Sequence, residues 1–174
     1  MPFVLTLEPH RNSWKQDFEV EAARIRSAVG DVLVVIHHIG STAIPGIYAK
    51  PIIDILAEVT SLDALGARVD AMQSLGYESM GEFGIPGRRY FRKDDSDGMR
   101  THQIHAFAHQ SPQVLRHLAF RDYLISHPDT AQEYSDLKRR LVQTCNGDIE
   151  AYMDGKDSFI KEVERKALEW AKGT

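Results

Sequence analysis

Two apolar runs, Val32–Ile36 and Ile52–Leu56, flank a loop rich in turn-forming residues, and the second run carries an acid, Asp54, at its centre. A carboxylate inside a hydrophobic strand is costly to bury without a compensating role, such as holding a metal ion. The first run ends in His37, His38 and then Gly40-Ser41, where a turn leaves backbone N–H groups able to face an anion. Together these residues outline a phosphate-handling site, and the remaining segments read as its support.

The alternation of patterns along the chain sets the fold class. Trp14, Phe18, Ile25 and Val29 predict a first helix over Trp14–Val29, opened by a Ser13-x-x-Gln16 capping box after a short extended start. Val32–Ile36 reads as a strand covered on both faces, Ile47–Ala49 as a single helical turn, and Ile52–Val59 as a second strand. Thr60-x-x-Asp63 opens a helix with Leu62, Leu65, Val69, Met72 and Leu75 inward, closed by Gly76. A short strand at Tyr77–Met80, a glycine-rich loop over Gly81–Gly87 and a hairpin turning at Asp94–Gly98 follow. Helices then start at Ser111-Pro112, at Thr130 and at about Asp148, the second with Tyr134, Leu137 and Leu141 inward. The fold class is therefore α/β (α+β), a mixed β-sheet flanked by helices. Residues 1–108 form the α/β portion and 109–174 a helical C-terminal portion, within one domain over 1–174.

Composition narrows the function classes. At 43% hydrophobic and 26% charged residues, the chain is too apolar for wholesale disorder. A net charge of -4 gives no global basic field, so broad nucleic-acid binding is not expected, while a local basic pocket is compatible with it. A lone cysteine, Cys145, excludes an internal disulfide and a thiolate zinc site. With no signal-like start and no apolar run approaching the ~20 residues of a membrane span, a cytoplasmic protein is expected.

Several segments carry a resemblance. Gly40-Ser41, twelve intervening residues and then Asp54 on an apolar strand is similar to the signature of the nucleotidyltransferase superfamily. More closely, His38–Gly46, Lys50–Ile55, Gly84–Phe91, His102–His105 and Arg121–Leu124 resemble the GrpB family over nearly the whole chain. The resemblance implies a sheet of the nucleotidyltransferase type and a link to coenzyme A biosynthesis, since some members are fused to dephospho-coenzyme A kinase. It also implies a nucleotide or phosphorylated small molecule as ligand, with Mg²⁺ or Mn²⁺ as cofactor.

Nucleotidyl transfer in that superfamily uses two metal-bridging carboxylates on one strand face. The partner position of Asp54 is Leu56, and Glu58 is the next acid on the same face, roughly 13 Å along the strand. The expected site therefore has Asp54 as metal ligand and catalytic residue, completed by His105 as ligand or base or by Glu58 as ligand. Gly40, Ser41, Lys50 and Arg89 are the expected phosphate-binding residues. Arg89 and Phe91 are expected on one face of their strand, with Arg88, Tyr90 and Arg92 on the other. His102 and His105 alternate as well, which opposes an HxxH metal hydrolase. Lys138 and Lys156 of the helical portion could point back to a nucleotide, but helix-surface lysines are usually solvated, and they are assigned no role. The other reading is a non-catalytic binding or regulatory module with a degenerate site, supported by Leu56.

Overall fold

The computed structural model describes residues 5–173. Five strands form one mixed sheet in the order β1-β2-β5-β4-β3: β1 Leu33–Ile39, β2 Ile53–Val59, β3 Glu78–Ser79, β4 Arg89–Asp94 and β5 Arg100–Ala108. Neighbours are antiparallel except β2 and β5, which run parallel. Helices are α1 Ser13–Val29, α2 Leu62–Gly66, α3 Val69–Ser74, α4 Pro112–Ser126, α5 Pro128–Thr144 and α6 Ile149–Lys172. The expected mixed sheet with a helical C-terminal portion is what the chain forms. Among the described residues, no helix is long and apolar enough to cross a membrane.

The strand period of two separates two layers. Ile53, Ile55, Ala57 and Val59 of β2 pack with Phe91, Ile104 and Ala106 against Trp14, Ala22, Ile25 and Val29 of α1. Burial of each large side chain in this layer contributes ~1.5–3 kcal/mol. The opposite face carries Asp54, Leu56 and Glu58; there Leu56 and Phe107 pack with Ile39 and Val114 under α4. Farther out, Ile44 and Ile47 insert among Leu124, Ala131, Tyr134 and Val163. The β1–β2 loop is thereby clamped between sheet and helices. A side chain at Gly155 would collide with Leu141, so glycine lets α6 approach α5.

Several local expectations are corrected. β1 is an edge strand with Val34 44% exposed, and it continues through both histidines to Ile39. Instead of a helical turn, Ala49 makes an antiparallel bridge to Glu8. The extended start falls partly on residues 1–4, outside the described residues. The capping box at Ser13 does not form: Asn12 is the N-cap, without a side-chain cap bond, and Ser13 lies inside the first turn. Ser61, not Thr60, caps α2 by accepting from the Ala64 N–H, and the Leu62–Leu75 stripe divides into α2 and α3. α5 opens at Pro128, upstream of Thr130, because a first-turn proline sacrifices no helical hydrogen bond. The hairpin turn and the starts at Ser111 and Asp148 form as expected.

Candidate functional site

At the end of β1, Ile39 pairs with Asp54, so the chain turns away directly beside the acid. Gly40 takes φ 74, and a Cβ there would stand 2.5 Å from Asp54 Oδ2. Both the left-handed backbone and the close approach require glycine. A 3₁₀ turn over Ser41–Ala43 follows, in which the Ala43 and Ile44 amides bond to Gly40 and Ser41 carbonyls. Thr42 Oγ1 ties this turn to the residue before β2 by donating to Ile52 O, and His38 Nε2 lies 2.9 Å from the same hydroxyl. Burial, with Phe18 stacked on the ring, pushes the His38 pKa down to about 4 despite the nearby Asp54 charge.

Across the turn, α5 and α6 close a cavity of about 280 Å³ lined by Ser41, Lys50, Asp54, Lys138, Tyr152 and Lys156, among others. Lys138 is 2% exposed, and its Nζ donates to Ser41 Oγ at 2.7 Å and to Tyr48 O at 2.6 Å. Ser135, three residues earlier on the same buried stripe, accepts from the Tyr48 N–H at 2.9 Å. Burial, reinforced by Lys156 and Lys50, pushes the Lys138 pKa down to about 7, with Asp54 opposing. Burial and Lys50 likewise bring Lys156 to about 8, and burial lowers Lys50. Lys50 and Lys156 lie 5.1 and 4.7 Å from the Tyr152 ring centroid, and Lys138 lies 4.5 Å from that of Tyr134. Among the described residues that line the cavity, Lys50, Lys138 and Lys156 meet one carboxylate, Asp54.

Of the expected site residues, Gly40, Ser41, Lys50 and Asp54 line this cavity. His105 is on the Asp54 face, its Nε2 3.7 Å from Asp54 Oδ1. Two expectations are not met. Glu58 is not brought to Asp54: buried to 5% exposure, it accepts from His37 Nε2 at 2.7 Å and His109 Nδ1 at 2.8 Å, so its carboxylate is engaged at the far end of β2. Arg89 shares the register parity of Phe91, pairs with Ala106 on the α1 side of the sheet, and donates to Arg88 O. His102 also faces the α1 side, within 3.7 Å of Glu21, which removes the HxxH hydrolase.

Lys138 and Lys156 are the residues that sequence reasoning missed. Ala131, Tyr134, Ser135 and Lys138 form the buried stripe of α5, and Lys138 follows Tyr134 by four residues. That spacing was a usable signal; choosing the inward face by Leu137 and Leu141 obscured it.

Among the described residues, no group of three or more His, Cys, Asp or Glu side chains is placed to hold a metal ion. Leu56 is wholly buried among Ile39, Phe107 and Val114. The donor set does not fit a two-ion site. Asp54 is the carboxylate among the described residues that line the cavity.

Comparison with known proteins gives consistent results. Residues 4–166 match the family described as GrpB protein. The UPF0157 protein YqkA of Bacillus subtilis is 43% identical over 94% of this chain; the chain spans about half of that relative, 47% of its length. The glutamate-rich protein GrpB of Alkalihalophilus pseudofirmus is 34% identical over 90% of this chain and 92% of its own. A protein of Mycolicibacterium paratuberculosis named dephospho-CoA kinase is 29% identical over 97% of this chain and 47% of its own length. The crystal structure of conserved protein GrpB from Enterococcus faecalis superposes with a TM-score of 0.90 at 39% identity, covering 95% of this chain and 99% of the other.

Proposed function

The chain belongs to the GrpB family, and from that premise we propose that it binds a phosphorylated small molecule, nucleotides included, in the cavity between the Gly40-Ser41 turn and helices α5 and α6. The observation that carries this reading is the convergence of Lys50, Lys138 and Lys156 on a cavity with one acid. A lysine as buried as Lys138, with only a hydroxyl and a carbonyl as hydrogen-bond acceptors, is costly to keep charged until an anion arrives. The cavity of about 280 Å³ suits the phosphate part of such a ligand.

The finer reading is a fold of the nucleotidyltransferase type. Its support is Gly40-Ser41 at the end of one strand with Asp54 on the adjacent strand. In this reading Ser41 and the lysines hold the phosphates, while Asp54 holds one divalent ion that neutralises phosphate charge. With these parts the expected chemistry is transfer of a nucleotidyl or phosphoryl group to a small acceptor. Relatives named dephospho-CoA kinase support a ligand drawn from coenzyme A biosynthesis. A second reading, a binding or regulatory module that keeps the site without catalysis, is favoured by the fully buried Leu56 at the position of the second acid.

Thermal-shift titration with nucleoside triphosphates, with and without Mg²⁺, tests the proposal. Wild type should be stabilised by the nucleotide alone and further by Mg²⁺, and Asp54→Asn should lose the Mg²⁺ increment only. No stabilisation of wild type by any phosphate ligand would refute it.

A further inference from the structure

Arg88 is buried to 6% exposure in the turn before β4, and its whole fork is engaged. Nε donates to Glu82 O at 3.2 Å and Nη2 to Phe83 O at 2.8 Å, while Nη1 stands 3.2 Å from His105 Nδ1. The loop presenting these carbonyls is held in turn: Phe83 takes φ 47, uncommon for a residue with a side chain, and the Gly87 N–H donates to Glu82 Oε2 at 2.7 Å. Arg88 is thus fixed from two sides before it meets the histidine.

A guanidinium has donors and no acceptor. Its contact with His105 is a hydrogen bond only when Nδ1 carries a lone pair, and in the neutral ring that places the hydrogen on Nε2. Nε2 is the nitrogen that faces Asp54 Oδ1. The other groups around the ring do not favour the opposite tautomer. Tyr90 and His117 contact it through their rings at 5.5 and 5.7 Å. Burial, Arg116, His105 and Arg88 push the His117 pKa down to about 3, so that ring is neutral. Metal-ligating histidines are usually supported by an acceptor at their far nitrogen. Here the far nitrogen meets a donor.

We propose that Arg88 is a positioning residue that holds His105 as its Nε2–H tautomer, making His105 a hydrogen-bond donor to an anionic oxygen in front of Asp54 rather than a metal ligand or a base. In the free protein Nε2 faces Asp54 Oδ1 from 3.7 Å, beyond hydrogen-bond reach, and the oxygen that completes the bond is supplied by a phosphate group when ligand is bound. This last step rests on the phosphate-binding reading; the tautomer does not.

Long-range ¹H–¹⁵N correlation of the histidine rings in the full chain tests the tautomer directly. Wild type should show His105 Nδ1 as an unprotonated, pyridine-type nitrogen and Nε2 as protonated. Arg88→Met should shift the ring toward a mixture, and Arg88→Lys should restore the wild-type pattern, because an ammonium also only donates. His102, on the other face of the sheet, serves as the fold control. Should Arg88→Met fail to fold, the wild-type and Arg88→Lys spectra still decide. A protonated Nδ1 in wild type, or an unchanged pattern in folded Arg88→Met, would overturn the assignment. In titrations with inorganic triphosphate, His105→Gln, which retains a donor, should bind like wild type, and His105→Leu should bind roughly tenfold more weakly. Equal binding by His105→Leu overturns the ligand contact. Absence of triphosphate binding in wild type with the predicted tautomer present overturns the phosphate reading and leaves Arg88's role standing.

Discussion

Glu21 and Lys138 are equally buried, each 2% exposed, on opposite sides of the same sheet, yet their surroundings differ in kind. Glu21 receives Lys93 Nζ at 2.6 Å and the Tyr77 hydroxyl at 2.8 Å, with His102 and Arg24 close by. Burial alone pushes its pKa up, but those hydrogen bonds and charges outweigh burial and hold it below the usual carboxylate value. Lys138 meets a hydroxyl, a carbonyl and two more lysines, and its pKa moves the other way, against the charged form. A buried charge whose partners favour ionisation is complete within the fold. One whose surroundings oppose ionisation is incomplete within the fold, and the proposed anion is what would complete it.

The sharpest way to break this contrast is to bury a charge that has neither kind of environment. Leu56→Asp places a carboxylate among Ile39, Phe107 and Val114 and should destabilise the protein by about 4 kcal/mol or more, read from urea unfolding. Near-wild-type stability would show that the face between Asp54 and Glu58 is more open than described. Next in size, Glu21→Ala leaves Lys93 without its carboxylate and should cost about 3 kcal/mol, with phosphate-ligand affinity in the folded protein unchanged. A change in affinity would make the Glu21 cluster part of the site rather than of the framework.

A smaller effect follows from pH. Lys138 and Lys156 have folded-state pKa values near 7 and 8, below the ordinary 10.5, so the unfolded chain binds more protons across that interval. The stability of the ligand-free protein therefore gains a contribution from them as pH rises from about 7 toward 10.5, and loses it as pH falls back through the folded values. Lys138→Met should flatten that slope in denaturation curves across the window. Ligand affinity should run oppositely, falling as pH rises above about 7 to 8 and the lysines lose their protons.

Much of the frame was legible because it depends on period. The strand alternation that put Asp54 opposite Ile53 and Ile55, and separated His102 from His105, is a property of each strand alone. So is the Asp94–Gly98 turn, where Asp95 Oδ1 accepts from the amides of Asp97 and Met99. What escaped depends on which surfaces meet. Lys138 carries a spacing signal through Tyr134, but its burial depends on Ile44 and Ile47 of the β1–β2 loop packing against α5. Glu58 looked available to a metal until His37 and His109, far apart in sequence, were placed on its two oxygens. Arg89 was chosen for its charge, although the alternation already paired it with inward-facing Phe91.

The most direct test of the lysine cavity is calorimetric titration of the ligand-free protein with inorganic triphosphate near the Lys138 pKa of about 7, in two buffers of different ionisation enthalpy. The account predicts binding accompanied by proton uptake, and a roughly 30-fold weaker affinity in Lys138→Met, the loss of about 2 kcal/mol of charge-assisted contact. Binding without proton uptake that Lys138→Met leaves unchanged would contradict it.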